Sequence, residues 1–322
     1  MNRFSFLLFF SVLSASVFSQ NKSFEFVVLP DTQTYVEDYP EIYLHQMQWL
    51  ATNKDRFSFA LHVGDLTQNN SKKEWSLAKK GFDIIDNKIP YLFALGNHDM
   101  GSEAGKFADT RNTSLANSFF TIDGFQNLKS SFPKGKVDNL LCELKIGNQK
   151  WMLLSLEFGP RNKTITWANS QIAKYPEHNF IIITHAYLYE DNTLHDDEDW
   201  WLPQNYGIGK DIGQEAPNDG GQLWEKLIKK HDNIRMVFSG HILKSGVGTL
   251  VSQGDMGNEV YQMLANYQKG VEGSLNGGNG FLRIVKVNPN TQTIDVKTYS
   301  PWLKHFKTSN EHNFSFKNVK WK

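Results

Sequence analysis

The sequence predicts an α/β protein in which parallel strands, covered by helices, present polar side chains at one edge of a sheet. Three observations lead there. Short apolar runs near residues 24–30, 57–63 and 91–95 alternate with helix-period segments, giving the β-α-β-α-β order that parallel strands require. Five apolar runs end in groups suited to holding ligands or moving protons: 26–30 into Asp31-Thr32-Gln33, 59–63 into Gly64-Asp65, 91–95 into Gly96-Asn97-His98-Asp99, 181–184 into His185, and 236–239 into Gly240-His241. Ligands of such sheets gather outside the carboxyl ends of the strands, so the five ends are expected to converge. The length, 322 residues, allows one large core or at most two modest ones.

From the start of the chain, Asn2-Arg3 precedes an apolar run over 4–18, too short to span a bilayer and followed by small residues. This reads as a secretory signal peptide over 1–19, cut between Ser19 and Gln20, with a single domain over 20–322. The protein is therefore expected to be secreted or periplasmic, with no membrane insertion after cleavage, since no second long apolar stretch exists. No cysteine precedes Cys142, which excludes a lipoprotein anchor at this N-terminus and, as Cys142 is the only one, any intrachain disulfide. Lys plus Arg equals Asp plus Glu at 34 each, which gives no reason to expect nucleic-acid polymers or anionic membranes as partners.

Further along, Tyr43, Met47, Leu50 and Ala51 share one helical face, and Ser71 with Glu74 forms a capping box before a helix that buries Trp75, Ala78, Phe82 and Ile85. Residues 101–137 read as an insertion near the site. A hairpin over 140–146 and 150–156 turns at Gly147-Asn148 and begins the second half of the fold. A helix with Ile165, Ala168 and Ile172 follows and stops at Pro176. Residues 186–217 form a long loop with an acidic, aromatic block, and loops of this length in a compact domain are usually functional or disordered. Asn218 or Asp219 can cap the next helix, expected to bury Trp224, Leu227, Ile228 and His231. Runs over 259–264, 281–287 and 293–299 read as antiparallel strands closing a second sheet.

The motifs, in order DTQ, GD, GNHD, THA and GHIL, resemble those of the calcineurin-like metallophosphoesterases, which run DxH or DxQ, GD, GNHD or GNHE, H, and GHxH. The resemblance covers roughly 24–300, and the Leu-Pro-Asp-Thr-Gln opening is similar to a secreted subgroup. It implies a four-layer α-β-β-α sandwich with two mixed sheets and two divalent metal ions about 3.5 to 4 Å apart that activate a water and neutralise a phosphate ester. Asp65 would bridge the ions. Asn97, His185 and His241 would complete one, suited to Mn, Fe or Zn, and Asp31 and Gln33 would hold the other. His98 would hydrogen-bond the phosphate and protonate the leaving oxygen, with Asp99 orienting its ring, and Asn97 would also meet the substrate. The departure is Leu243, where the family's last histidine should stand. Without that nitrogen the Asp31/Gln33 ion has oxygen ligands only and is expected to be the looser one, filled by Mn or Mg, unless Glu157 or Asn266 moves in.

Each residue alone has a duller meaning, since an Asp after a strand is usually a cap or turn former and a lone His usually structural; five exceptions in family order outweigh that. His62 is expected to pack or hydrogen-bond. Glu157 is a candidate either to hold a ligand in place from behind or to substitute for one. Trp200 and Trp201 either stack a sugar or base at the site mouth or form the loop's own small core. Residues 266–268 and 277–280 are placed at the rim by position alone. The leading expectation is an exported phosphoesterase acting on monoesters or diesters of unknown identity. The rivals are a member that binds a phosphorylated ligand without turnover, and a carbohydrate-active hydrolase using the acidic block at 196–199.

Overall fold

The computed structural model describes residues 22–322; the expected signal peptide lies outside the described residues. The elements in chain order are β1 (Phe24–Leu29), α1 (Gln33–Asp38), α2 (Pro40–Thr52), β2 (Phe57–His62), α3 (Lys72–Ile85), β3 (Tyr91–Phe93), α4 (Ser114–Phe119), β4 (Leu128–Ser131), β5 (Leu140–Ile146), β6 (Gln149–Ser155), α5 (Asn162–Ile172) and β7 (Asn179–Ile183). They continue with α6 (Gly220–Lys226), β8 (Ile234–Ser239), β9 (Val247–Gln253), β10 (Glu259–Ala265), β11 (Leu282–Asn288), β12 (Thr293–Ser300), β13 (His305–Lys307) and β14 (Asn313–Phe316).

The strands form two mixed sheets, as expected. The first has the order β13-β12-β11-β1-β2-β3, with β14 also pairing with β12; β1, β2 and β3 are mutually parallel and the strands beyond β1 antiparallel. The second runs β4-β5-β6-β7-β8-β10-β9, with β6, β7, β8 and β10 parallel.

Alternation of side chains along each strand decides the layering. In β7, Ile181 and Ile183 join the core cluster shared with the first sheet, whereas Phe180 and Ile182 join a second cluster with α5 and α6. The same split occurs in β6, where Trp151 and Leu153 face inward and Met152 and Leu154 outward. Phe26 of β1 stacks on Phe59 of β2 at 4.5 Å and meets Phe238 of β8 edge-on at 5.8 Å, so the two sheets interlock through aromatic rings. Burying one such ring stabilises by about 1.5–3 kcal/mol, and the same interior holds many of them. Helices α2 and α3 cover the other face of the first sheet; Tyr43 donates to the Ala78 carbonyl at 2.9 Å and lies so close to Gly81 that a Cβ there would sit 2.3 Å from its ring. The order helix, sheet, sheet, helix is the four-layer sandwich.

Several local expectations hold. Ser71 and Glu74 form the capping box of α3, and β5 and β6 form the hairpin. Asp219 is the cap of α6, through Gln222 N–H. Three expectations need correction. The strands after residue 246 do not simply close the second sheet: β10 runs parallel to β8, and β11 and β12 enter the first sheet beside β1. Alternating burial marks a strand but carries no sign of which sheet it joins or in which direction. The helix after Asp219 ends at Lys226: Leu227 leaves helical geometry and a short 3₁₀ turn carries Ile228, so both are fully buried as expected, while His231 lies half-exposed, bonded to Asn169. Residues 101–137 are more than an insertion, since β4 extends the second sheet and Phe120 and Phe125 pack on Phe93.

Candidate metal centre

Three parallel strand ends from each sheet meet at one edge. Asp31 follows β1, Asp65 follows β2 and Asn97 follows β3; His185, His241 and Asn266 follow β7, β8 and β10. The turns are tight: Gly64, Asp65 and His241 have φ of 107°, 54° and 74°, a region that non-glycine residues enter at a cost. Glycine is required at two approaches, because a Cβ on Gly96 would lie 2.0 Å from Asp65 Oδ1 and one on Gly240 would lie 2.0 Å from Asp31 Oδ1.

Backbone carbonyls set both imidazoles. A carbonyl can only accept, so His185 donates Nδ1–H to Val63 at 3.0 Å and His241 donates Nε2–H to Trp201 at 2.8 Å. The remaining nitrogens, His185 Nε2 and His241 Nδ1, face each other at 3.2 Å. Asn97 Oδ1 lies 3.1 Å and Asp65 Oδ2 3.2 Å from the same His185 Nε2. One proton on that nitrogen can satisfy one of these three lone-pair atoms; a cation among them satisfies all four. The ligand atoms of Asp65, His185 and His241 lie within 4.8 Å of one another, all buried. The donor set of two imidazoles, an amide oxygen and a carboxylate fits a borderline divalent ion such as Mn, Fe or Zn.

The titration of these groups reports the same crowding. Burial opposes charge on His185, but the carboxylates of Asp65 and Asp31 outweigh it and push the ring up to about 9. Burial opposes ionisation of Asp65, while His185, His98 and His241 hold it well below the usual carboxylate range. Asp31 is pushed up to about 8, by burial first, with His185 working against this and Asp65 adding to it. A carboxyl that resists ionising among protein groups alone is one that a divalent cation would ionise.

Asp31 and Gln33 flank this cluster on the side of the first sheet. Gln33 Nε2 donates to Asp65 Oδ2 at 2.9 Å, while Gln33 Oε1 and Asp31 Oδ1 are buried without a hydrogen-bond partner among the described residues. Bare buried oxygens cost about 1–3 kcal/mol each unless something binds them, and these two fit a hard cation.

His98 lies on the wall of an open cleft of about 390 Å³ that also takes in Asn97, Trp201, Tyr206, His241 and Leu243. Its Nδ1–H donates to the Gln68 carbonyl at 2.7 Å and its ring stacks on Phe107 at 4.0 Å, which leaves Nε2 for the cleft. The expected role of Asp99 is corrected here. Its carboxylate accepts from the backbone of Gly96, Leu66 and Thr67 and from the Thr67 hydroxyl, binding the GD turn to the GNHD turn; Gln68 and Phe107, not Asp99, orient the His98 ring. Trp201 lines the cleft, whereas Trp200, 71% exposed, is not part of its wall, and its carbonyl accepts from His195. Glu157 is no substitute ligand, because both its oxygens hold Arg161 and Oε1 also accepts from Thr164. His62 packs as expected, its Nδ1 accepting from Gly64 N–H, and burial pushes it down to about 3.

A model of the family described as calcineurin-like phosphoesterase matches residues 24–245, which include all the residues named for the two cations except Asn266. The chain belongs to this family, one of metal-dependent phosphoric ester hydrolases. A Bacillus subtilis (strain 168) protein, the uncharacterized YvnB, is 27% identical to this chain over 290 residues; these are 87% of the chain but 20% of YvnB, so the chain spans about a fifth of that relative's length. The purple acid phosphatase PPD1 from yellow lupin (Lupinus luteus) seeds has the same fold, with a TM-score of 0.56 at 11% identity over 93% of this chain and 54% of that one.

Sequence reasoning missed Phe107, Gln68, Tyr206 and the depth of Asn266. The first three contribute stacking or a backbone carbonyl from loops, for which no motif exists, although 186–217 was marked by its length. Asn266 had a usable signal, since it ends an apolar run in the same way as the other strand ends. The Gly96 approach yields a direct test: the added methyl of Gly96→Ala meets both the carboxylate and the backbone nitrogen of Asp65, so it should displace that residue and weaken metal retention at least about 10-fold, read by elemental analysis after dialysis, with the far-UV spectrum unchanged. Wild-type metal content in that variant would contradict the assigned role of Asp65.

Proposed function

We propose that this protein is an exported, metal-dependent phosphoesterase that hydrolyses phosphomonoesters or phosphodiesters, with His98 as general acid. The observation that carries the reading is the set of three lone-pair atoms crowded round His185 Nε2, beside a cleft into which His98 directs its free nitrogen. Bound divalent cations would supply charge neutralisation at the ester phosphate and lower the pKa of water. The chain's own groups do the rest. Asn97 and His98 sit on one short turn, so a phosphate at the cleft floor lies between the amide and the imidazole. Gln68 keeps the proton of His98 on Nδ1 in the neutral ring, so a second proton resides on Nε2, the position from which a leaving alkoxide can take it. Leu243 on the cleft wall favours one rival, a ligand-binding member without turnover; the orientation of His98 supports turnover instead.

The deciding experiment compares chelated with Mn-loaded protein on nitrophenyl phosphate and a nitrophenyl diester. Hydrolysis should vanish on chelation and return with Mn; activity that survives complete chelation would sink the proposal, and phosphate binding without hydrolysis would establish the rival. His98→Asn should lower turnover of alkyl esters by roughly 10²- to 10⁴-fold and of nitrophenyl esters far less, since a good leaving group needs little protonation. Equal losses on both would assign His98 to binding alone. Export rests on the apolar run over 4–18 ended by small residues, and predicts a mature N-terminus at or within a few residues of Gln20. Mass spectrometry finding intact Met1 on membrane-bound protein would overturn it.

A further inference from the structure

The end of β10 delivers Asn266 to the floor of the site, fully buried. Its Oδ1 accepts the Gln268 backbone N–H at 3.1 Å, an Asx turn that fixes which end of the amide faces inward. Nδ2 therefore faces Asp31 and donates to Oδ2 at 3.0 Å. The same oxygen accepts His241 N–H at 3.0 Å and Gln268 Nε2 at 3.3 Å. Three donors fill Oδ2, while Oδ1 has no partner among the described residues and neither has Gln33 Oε1. A carboxylate saturated on one oxygen and bare on the other is set to ligate through a single atom.

We propose that Asn266, supported by Gln268, is the positioning residue of the second cation: it fixes Asp31 so that Oδ1 and Gln33 Oε1 meet the same hard divalent ion, Mn or Mg. The inference rests on the metal-dependent reading above. It also answers how the site manages with leucine at 243. Asn266 does not become a ligand, because its oxygen is committed to the turn, and Glu157 is committed to Arg161. Compensation acts through Asp31, whose orientation is imposed by neutral donors.

The test is Mn binding by the full chain, followed by equilibrium dialysis with elemental analysis and by electron paramagnetic resonance. Wild type should bind a coupled pair of Mn ions. Asn266→Leu should weaken the looser ion about 10- to 100-fold and leave the tighter one unchanged, and the coupled-pair spectrum should give way to that of an isolated ion. Thermal melting of the metal-free variant should match wild type. Gln268→Leu, which removes the longest of the three bonds, should weaken the same ion by less. Wild-type affinity for both ions in Asn266→Leu, or equal weakening of both, would overturn the inference. If Asn266→Leu does not fold, unchanged looser-ion affinity in Gln268→Leu overturns it alone. A wild-type chain holding one Mn also overturns it, whereas two bound ions without ester hydrolysis would fail the proposed function and leave this inference standing.

Discussion

The Asp65 carboxylate joins the two halves of the site. One oxygen accepts the His98 backbone N–H at 3.0 Å; the other accepts Gln33 Nε2 and lies 3.2 Å from His185 Nε2 on the second sheet. The backbone of Asp65 sits at positive φ, after a glycine, under a second glycine whose missing side chain makes room for it. Those features cost stability locally, and the surrounding turns, tied by Asp99, hold them in place.

The sandwich exists to bring such ends together. Parallel strands need crossovers, and crossovers put all the C-terminal ends of a sheet on one edge. Two sheets stacked face to face then place two such edges side by side, three strand ends from each, with aromatic interdigitation fixing their offset. A single sheet could supply the carboxylates of the first three motifs but not the imidazoles of the last two. The orphaned oxygens of Asp31 and Gln33 and the opposed nitrogens of His185 and His241 are tolerable only because this much buried apolar surface supports them.

Legibility followed the kind of information each feature uses. Burial and period were readable, so the strands of the first half, the β5–β6 hairpin and the α3 capping box could be placed. The side chains Asp31, Asp65, Asn97, His185 and His241 were readable too, because their types and order carry chemistry. Strand partners were not: β10 and β11 look alike in pattern, yet they join different sheets, since the choice is made by the path between them. Roles of backbone atoms were equally hidden. The carbonyls of Val63, Gln68 and Trp201 set three imidazoles, and a carbonyl has no residue type. Asp99 shows the converse: adjacency in sequence is not contact, and the turn commits its carboxylate to backbone N–H groups while Gln68 holds the neighbouring ring.

The bond from His241 Nε2 to the Trp201 carbonyl has one more consequence. Trp201 belongs to the long loop over the cleft and stands at positive φ, half-exposed, so a metal-facing imidazole takes its tautomer from the least embedded part of the site. Loop position and cation affinity are thereby linked, and linkage is reciprocal. Whatever affinity a cation gains from this bond, the loop gains in stability from the cation. The loop that carries Trp201 is thus part of the hydrogen-bond network of the metal centre rather than a cover laid over it.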